Sequence, residues 1–117
     1  MIQFEIKGLP KTTNAGGRAH WSVKAKEAKL WKQLVFLSVS SQRPKEPFKK
    51  CKITLVRCSS KESDFDGLVS SFKHVLDGLK ESRIIFDDKP SCIEPTYRWQ
   101  YSSPKSGRIK VTVEEVK

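Results

Sequence analysis

Cysteine and histidine are scarce in this sequence, which has three of the first and two of the second in 117 residues. The cysteines, Cys51, Cys58 and Cys92, are odd in number and none are spaced as Cys-x-x-Cys, while His20 and His74 lie far apart. This pattern argues against a zinc site. We expect three free thiols, buried in a protein of a reducing compartment.

Long apolar segments are missing as well. The sequence has no run of about 18 apolar residues, which a membrane-spanning helix needs. The first ten residues also lack the long apolar core of a signal peptide. We therefore expect a soluble, cytoplasmic protein with no membrane partner.

Acidic residues are few relative to basic ones. There are 13 Asp and Glu against 23 Lys and Arg, and the net charge is +10. Such an excess favours a polyanionic partner, with nucleic acid the leading candidate, although an ordinary small basic protein can share this composition. The length fits one domain, residues 1–117.

Apolar periodicity predicts two helices and four strands. Ile2, Phe4 and Ile6 alternate with polar residues, as in a half-buried strand. The predicted elements are strand 2–7, helix 21–41, strand 51–58, helix 66–79, strand 92–101 and a last strand from 109. The order β-α-β-α-β-β indicates an α+β (mixed α/β) domain, a four-stranded sheet packed with two helices. Residues 102–107 are predicted to be a hairpin loop.

The first predicted helix combines an apolar stripe with a lysine-rich surface. The stripe consists of Trp21, Ala25, Ala28, Trp31, Leu34 and Leu37. The cations are Lys24, Lys26, Lys29 and Lys32, preceded by Lys11 and Arg18 in a glycine-containing loop. These six residues are candidate contacts to a phosphate backbone. A solvated helix face and a plain surface loop are the alternative interpretations.

Aromatic residues recur at every second position of the third strand, at Tyr97, Trp99 and Tyr101. They could stack on bases, but we expect sheet core, since aromatic residues are usually buried. Pro95 predicts that this strand lies at an edge or that it begins there.

One acidic stretch stands out in the basic chain. Asp64 and Asp66 lie at the predicted start of the second helix, where Ser63 or Asp64 is a plausible N-cap and the helix dipole favours anions. Asp87 and Asp88 precede the next strand. A site with only oxygen ligands would select Mg²⁺ or Mn²⁺ over zinc.

The helix between the acidic pairs has an ordered polar face. Asp66, Ser70, Lys73 and Asp77 follow at spacings close to one helical turn. Lys73 could reach back toward a phosphate or an attacking water beside Asp66. The alternative is a Lys73–Asp77 ion pair on a solvated face, worth only a few tenths of a kcal/mol.

Several motifs, taken in order, resemble one known family. They are Asp64-Phe65-Asp66-Gly67-Leu68, Lys73, Leu76-Asp77-Gly78-Leu79 and Ile84-Ile85-Phe86-Asp87-Asp88. In combination they are similar to the RusA family of Holliday junction resolvases, found in phages and prophages. Gly8-Leu9-Pro10, Asn14 and His20-Trp21 are similar to the start of that family. Gly67 departs from the family pattern, which has Asn, and Lys73 matches the lysine of members with a slightly longer helix.

The resemblance implies a function and a set of site residues. The protein would be an Mg²⁺-dependent endodeoxyribonuclease that resolves four-way DNA junctions in recombination and repair, as a homodimer making paired symmetric nicks. Asp64, Asp66 and Asp88 would be the catalytic metal ligands, with Asp87 a lesser candidate and Lys73 a catalytic cation. Its location would be the cytoplasm of a bacterial host, with the gene bacterial or phage-encoded.

Two other functions fit the sequence. A catalytically silent nucleic-acid-binding module of the same fold is one, and Gly67 leaves room for it. A small RNA-binding or ribosome-associated protein is the other, and it rests on charge alone.

Overall fold

A four-stranded sheet, with helices packed against it, forms the fold. The computed structural model describes residues 1–11 and 21–116, with the side chains of residues 21–23 outside the description. The strands are β1 (Ile2–Lys7), β2 (Cys51–Ser59), β3 (Ile93–Tyr101) and β4 (Arg108–Glu115), and the helices are α1 (Trp21–Val39), α2 (Phe65–Ser71) and α3 (Lys73–Glu81). The predicted α+β class with a four-stranded sheet is confirmed. Arg18, Asn14 and His20 lie outside the described residues, as does the side chain of Trp21.

The strands lie in the order β1-β4-β2-β3. β2 is parallel to β3 and antiparallel to β4, which is antiparallel to β1. Alternate residues of β1 and β4 are buried because one face of the sheet carries the core. β3 is an edge strand, as Pro95 predicted.

The segment after β3 is not a hairpin loop, so that prediction was wrong. β4 does not pair with β3 but lies on the far side of β2. The connection therefore crosses the end of β2, where the Ser102 N–H donates to the Ser59 carbonyl at 3.0 Å. It contains a short 3-10 turn, Pro104–Ser106, and the Gly107 carbonyl accepts from the Gly8 N–H at the end of β1.

Helix α1 buries a stripe that matches the predicted one only in part, at Trp31 and Leu34. Trp31, Val35 and Val39 are in the core, four residues apart, and Leu34 packs partly against them. Ala25 is exposed, and Leu37 is 64% exposed. The helix is apolar on more than one side, so spacing alone did not identify its buried face.

The second predicted helix is broken into α2 and α3 at Phe72. The hydroxyls of Ser70 and Ser71 donate to the carbonyls three residues back, at 3.1 and 2.8 Å. Such bonds compete with the helical backbone ladder and bend helices. Phe72 is fully buried and its ring lies 6.1 Å from that of Tyr97, so the break turns this side chain into the core.

Gly78 lets α3 approach α1 closely. A Cβ atom at this position would lie 3.0 Å from the Val35 Cβ and 3.2 Å from the Lys32 Cα. At the same contact, the Lys32 Nζ lies 3.1 Å from the Glu81 Oε1. Gly78 is thus a packing residue, in addition to a weak point of helix propensity.

The aromatic row of β3 is only partly core, against our expectation. Tyr97 packs against the core, whereas Tyr101 is 66% exposed. Trp99 is half-buried and its indole N–H donates to the Ser59 Oγ at 2.9 Å. An edge strand has neighbours on one side only, which explains the weaker burial.

The cysteines are free, as predicted. Cys51 and Cys58 are buried and Cys92 is half-buried. Burial raises the pKa of the Cys51 thiol to about 11, with smaller contributions from Cys92 and Glu115. Among the helices that the structure describes, none has the length and apolar character needed to cross a membrane.

Candidate active site

Asp64 and Asp66 lie at the start of α2, shortly after β2 ends. Asp64 is the N-cap residue, and its Oδ1 accepts a hydrogen bond of 2.8 Å from the Gly67 N–H. This confirms one of the two predicted caps. Asp66 lies in the first helical turn, and both carboxylates are exposed.

Gly67 is buried directly beside these carboxylates. Its N–H is the donor to Asp64, so this residue contributes through its backbone. The family pattern has an Asn side chain here. In this chain, position 67 therefore adds no polar side chain beside Asp64 and Asp66.

Asp87 and Asp88 follow α3 after a tight reversal of the chain. Arg83 has a positive φ of 61°, and the Ile84 N–H donates to the Leu79 carbonyl at 3.0 Å. This is the geometry of a left-handed helix end. The Phe86 N–H then bonds to the Phe48 carbonyl at 3.0 Å, which fixes the backbone just before the acidic pair.

Asp87 is held by cations and by its own backbone. Its Oδ1 accepts from the Asp88 N–H at 2.8 Å and lies 3.2 Å from the Lys80 Nζ. The Lys89 Nζ is 3.7 Å from the Oδ2. The Asp88 N–H bond first, and then the Lys80 bond, lower the pKa of Asp87 to about 2. The hydrogen bond with Asp87 in turn raises the pKa of Lys80.

Asp88 is more exposed than its neighbour Asp87, which is half-buried. Within the described parts of the chain, no cation lies within 4.0 Å of the Asp88 carboxylate. Of the two, Asp88 therefore has the freer carboxylate for a metal ion or substrate, whereas Asp87 is engaged in positioning the loop.

The two acidic pairs are not joined into one cluster. Asp64 follows the carboxyl end of β2, while Asp88 precedes the amino end of β3. After β2 the chain returns along the sheet, because the ring of Phe65, between Asp64 and Asp66, lies 6.4 Å from that of Tyr97 in the middle of β3. In residues 1–11 and 21–116 no group of three or more His, Cys, Asp or Glu residues could hold a metal ion. The set Asp64, Asp66 and Asp88 stays a prediction.

Asp64 and Asp66 alone fit part of an Mg²⁺ site. Both are exposed and offer only oxygen atoms. Mg²⁺ is commonly held by one or two carboxylates, with water and substrate phosphate oxygens completing its octahedron. The donor chemistry of this pair thus suits the ion, and Asp88 is not brought to it in this arrangement.

Lys73 is the first residue of α3 and is exposed. The break at Phe72 interrupts the predicted continuous row from Asp66 to Asp77, because the two halves belong to different helices. The alternative Lys73–Asp77 ion pair does not form. Instead Asp77 lies near His74, with 4.0 Å between the Oδ2 and the Nδ1.

The predicted DNA-contacting cations differ in how free they are. Lys11, Lys24, Lys26 and Lys29 are exposed. Lys32 is half-buried and paired with Glu81 across the α1–α3 contact, which gives it a structural role as well. Arg18 lies outside the described residues.

The sequence did not predict the contacts made by Lys80 and Arg57. Lys80 is seven residues before Asp87, and only the reversal at Arg83 brings the two side chains together. Arg57 is half-buried and donates to the Pro10 carbonyl at the start of the glycine-containing loop. Desolvation lowers the pKa of Arg57. The only indication of this role in the sequence was the position of Arg57 among the apolar residues of β2.

Comparison with known proteins gives no relative to which this site can be matched. No family model matches the chain, and no curated protein is significantly similar to it. The similarity to the RusA family therefore rests on the motifs and their order.

Proposed function

We propose that this protein is a divalent-metal-dependent endonuclease acting on branched DNA, with four-way junctions as its substrate. The observation that carries the proposal is the pair of exposed carboxylates, Asp64 and Asp66, at the start of α2 in a chain of net charge +10. Carboxylates concentrated in a basic protein suit a metal ion placed between acid and phosphate. The RusA-like order of motifs supports the same function.

Asp64 and Asp66 would hold Mg²⁺ (or Mn²⁺), which when bound lowers the pKa of a water molecule and offsets phosphate charge. The N-cap bond from Gly67 orients Asp64 and leaves its other oxygen available. Asp88 is proposed as the third ligand of the same ion. Asp87, held by Lys80, fixes the loop that carries Asp88.

Cations supply the remaining roles. Lys73, exposed at the start of α3, is proposed to stabilise charge on the phosphate. Lys11, Arg18, Lys24, Lys26, Lys29 and Lys32 are proposed as contacts to the DNA backbone. We further propose a homodimer, whose two-fold symmetry would match that of a four-way junction.

The test is cleavage of a labelled four-way junction, with linear duplex of the same sequence as control, with and without Mg²⁺. We expect junction-selective, Mg²⁺-dependent nicking by the wild type. Asp66→Asn should abolish cleavage and keep or tighten junction binding, since a negative charge near phosphate is removed. Glu62→Gln is the matched control, because Glu62 is also exposed and close in sequence, and it should cleave normally.

A catalytically silent DNA-binding module is the second candidate. Gly67 favours it, because this buried residue puts no polar side chain beside Asp64 and Asp66. It predicts junction binding with no Mg²⁺-dependent product at any enzyme concentration. Cleavage by Asp66→Asn at the wild-type rate would instead show that the nuclease site lies elsewhere.

A further inference from the structure

In the part of the chain that the structure describes, the helices pack against one face of the sheet; the other face, here called the open face, carries mostly polar residues together with the buried Cys58. The apolar core residues of all four strands point to the helical side, where α1 lies against β1 and α2 against β3. The alternate residues point to the other side. On β1 these are Gln3, Glu5 and Lys7, and all three are exposed.

Strand register arranges the residues of this open face into rows across the sheet. One row consists of Arg98, Val56, Lys110 and Glu5. The next row, toward the carboxyl end of β2, consists of Gln100, Cys58, Arg108 and Lys7. We call these two rows the basic half of the open face, since they contain four cations and one carboxylate.

The other half has the opposite character. A neutral row of Thr96, Thr54, Thr112 and Gln3 lies next to the basic half. Beyond it comes a row of Glu94, Lys52 and Glu114, with one cation between two carboxylates. Charge on the open face is therefore polarised along the strands, and the basic half lies at the sheet end from which the chain continues to Asp64.

Most of these cations are not neutralised within the protein. The only carboxylate of the basic half, Glu5, lies 3.1 Å from the Arg108 Nε. No carboxylate lies within 4.0 Å of Lys7, Arg98 or Lys110 in the part of the chain that the structure describes. Lys7 and Arg98 are exposed, and Lys110 is half-buried.

We propose that the basic half of the open face binds the phosphate backbone of nucleic acid. Rows are about 7 Å apart and strands about 4.8 Å apart, so Arg98 and Lys7 are separated by roughly 16 Å, which is enough to contact several phosphates. Charge complementarity identifies the partner as a polyanion, and the adjacent threonine hydroxyls add hydrogen-bond donors suited to phosphate oxygens. The proposal rests on the proposed function only for the choice of DNA as the polyanion.

The test compares two triple variants that lose the same charge. Lys7→Gln/Arg98→Gln/Lys110→Gln removes the three free cations, while Lys45→Gln/Lys49→Gln/Lys50→Gln removes three exposed lysines before β2, at the opposite end of the sheet. Affinity for labelled duplex and four-way DNA is measured by fluorescence anisotropy in EDTA over a range of salt. The open-face variant should lower the slope of log K against log[salt] by about 2.7, and the affinity by about tenfold or more, while the control changes the slope by less than about 1.

Arg98→Lys keeps the positive charge but changes the side chain, so it should leave the slope of log K against log[salt] unchanged. Thermal unfolding checks that each variant is folded. Should the triple variant fail this check, Lys7→Gln/Arg98→Gln, at two exposed positions, should lower the slope by about 1.8. Equal slopes for the two triple variants overturn the proposal, as does a change in molecular mass by light scattering without a change in slope, because the face is then a subunit contact.

Binding in EDTA keeps this inference apart from the nuclease. If the slope falls as expected but no variant or wild type ever cleaves DNA, the proposed nuclease function fails and the binding surface stands. If the wild type cleaves and the two triple variants bind alike, the nuclease stands and this surface fails.

Discussion

Asp64 has both a structural and a proposed chemical role, and the two can be separated by substitution. Asn caps a helix about as well as Asp, whereas Ala removes the acceptor for the Gly67 N–H. Asp64→Ala should therefore lower the free energy of unfolding by about 1 kcal/mol, and Asp64→Asn by at most a few tenths. Both variants should lose Mg²⁺-dependent cleavage. Urea unfolding and the junction assay measure the two effects, and full activity of Asp64→Asn would remove Asp64 from the proposed site.

Asp87 should make folding stability depend on pH in the acid range. Its pKa is lowered from 3.8 to about 2 in the folded protein, by the Asp88 N–H and then by Lys80. A depressed pKa stabilises the fold above the unfolded value of 3.8, and this contribution is lost as the pH falls toward 2. The stability difference between wild type and Asp87→Asn should therefore be constant from pH 5 to 7 and shrink below pH 4.

Urea unfolding at a series of pH values measures this difference. Lys80→Gln removes one of the two main causes of the lowered pKa, so its own stability difference from wild type should shrink over the same pH range. A wild-type advantage that stays constant down to pH 2 would contradict the role of the Asp87 contacts.

At the residue scale, the sequence was informative where the cause is local. The Asp64 cap depends on a carboxylate three residues before an N–H at a helix start. The Lys80–Asp87 contact depends on a left-handed residue at Arg83, where no glycine signals the turn. The sequence therefore could not predict that Lys80 binds Asp87 while Asp88 stays exposed.

The packing of α1 on α3 gives a prediction at the scale of elements. Gly78→Ala gains about 1 kcal/mol from helix propensity alone. The added Cβ would however lie 3.0 Å from the Val35 Cβ and 3.2 Å from the Lys32 backbone. Backbone cannot rotate away, so the helices must separate, and overpacking of this kind costs about 1–3 kcal/mol. We expect a net loss of stability.

Thermal and urea unfolding of Gly78→Ala, next to Gln33→Ala, test this expectation. Gln33 is exposed on α1, so its substitution should change the free energy of unfolding by less than about 0.5 kcal/mol. A stabilised Gly78→Ala would show that the two helices can part freely at this contact.

The elements themselves followed from apolar periodicity, but some of their partners did not. Alternation located β1 and β4 because one face of each strand is buried and the other is open. The pairing of β4 with β2, and not with β3, depends on contacts between distant segments and left no local sign in residues 102–107. Just before the break at Phe72, two serine side chains bond back to the helix, and a count of apolar spacings does not include such bonds.

The whole molecule places its charges unevenly. The chain leaves β2 at the sheet end that carries the basic half of the open face and continues to Asp64, whereas Asp87 and Asp88 come shortly before β3. A single copy thus offers one exposed acidic pair, Asp64 and Asp66, and one basic sheet surface. Resolving a four-way junction takes two nicks, which requires two such copies in symmetric positions.

We therefore expect a homodimer, with a mass by light scattering of twice the 13.4 kDa of one chain. Mixed dimers, in which one differently tagged subunit carries Asp66→Asn, provide the sharper measurement. A mixed dimer should nick a four-way junction once and leave it unresolved, because only one of its subunits can cut. The wild-type dimer should release two nicked duplexes. A monomeric mass at concentrations that give full resolution would contradict the dimer, and complete resolution by the mixed dimer would show that one subunit makes both nicks.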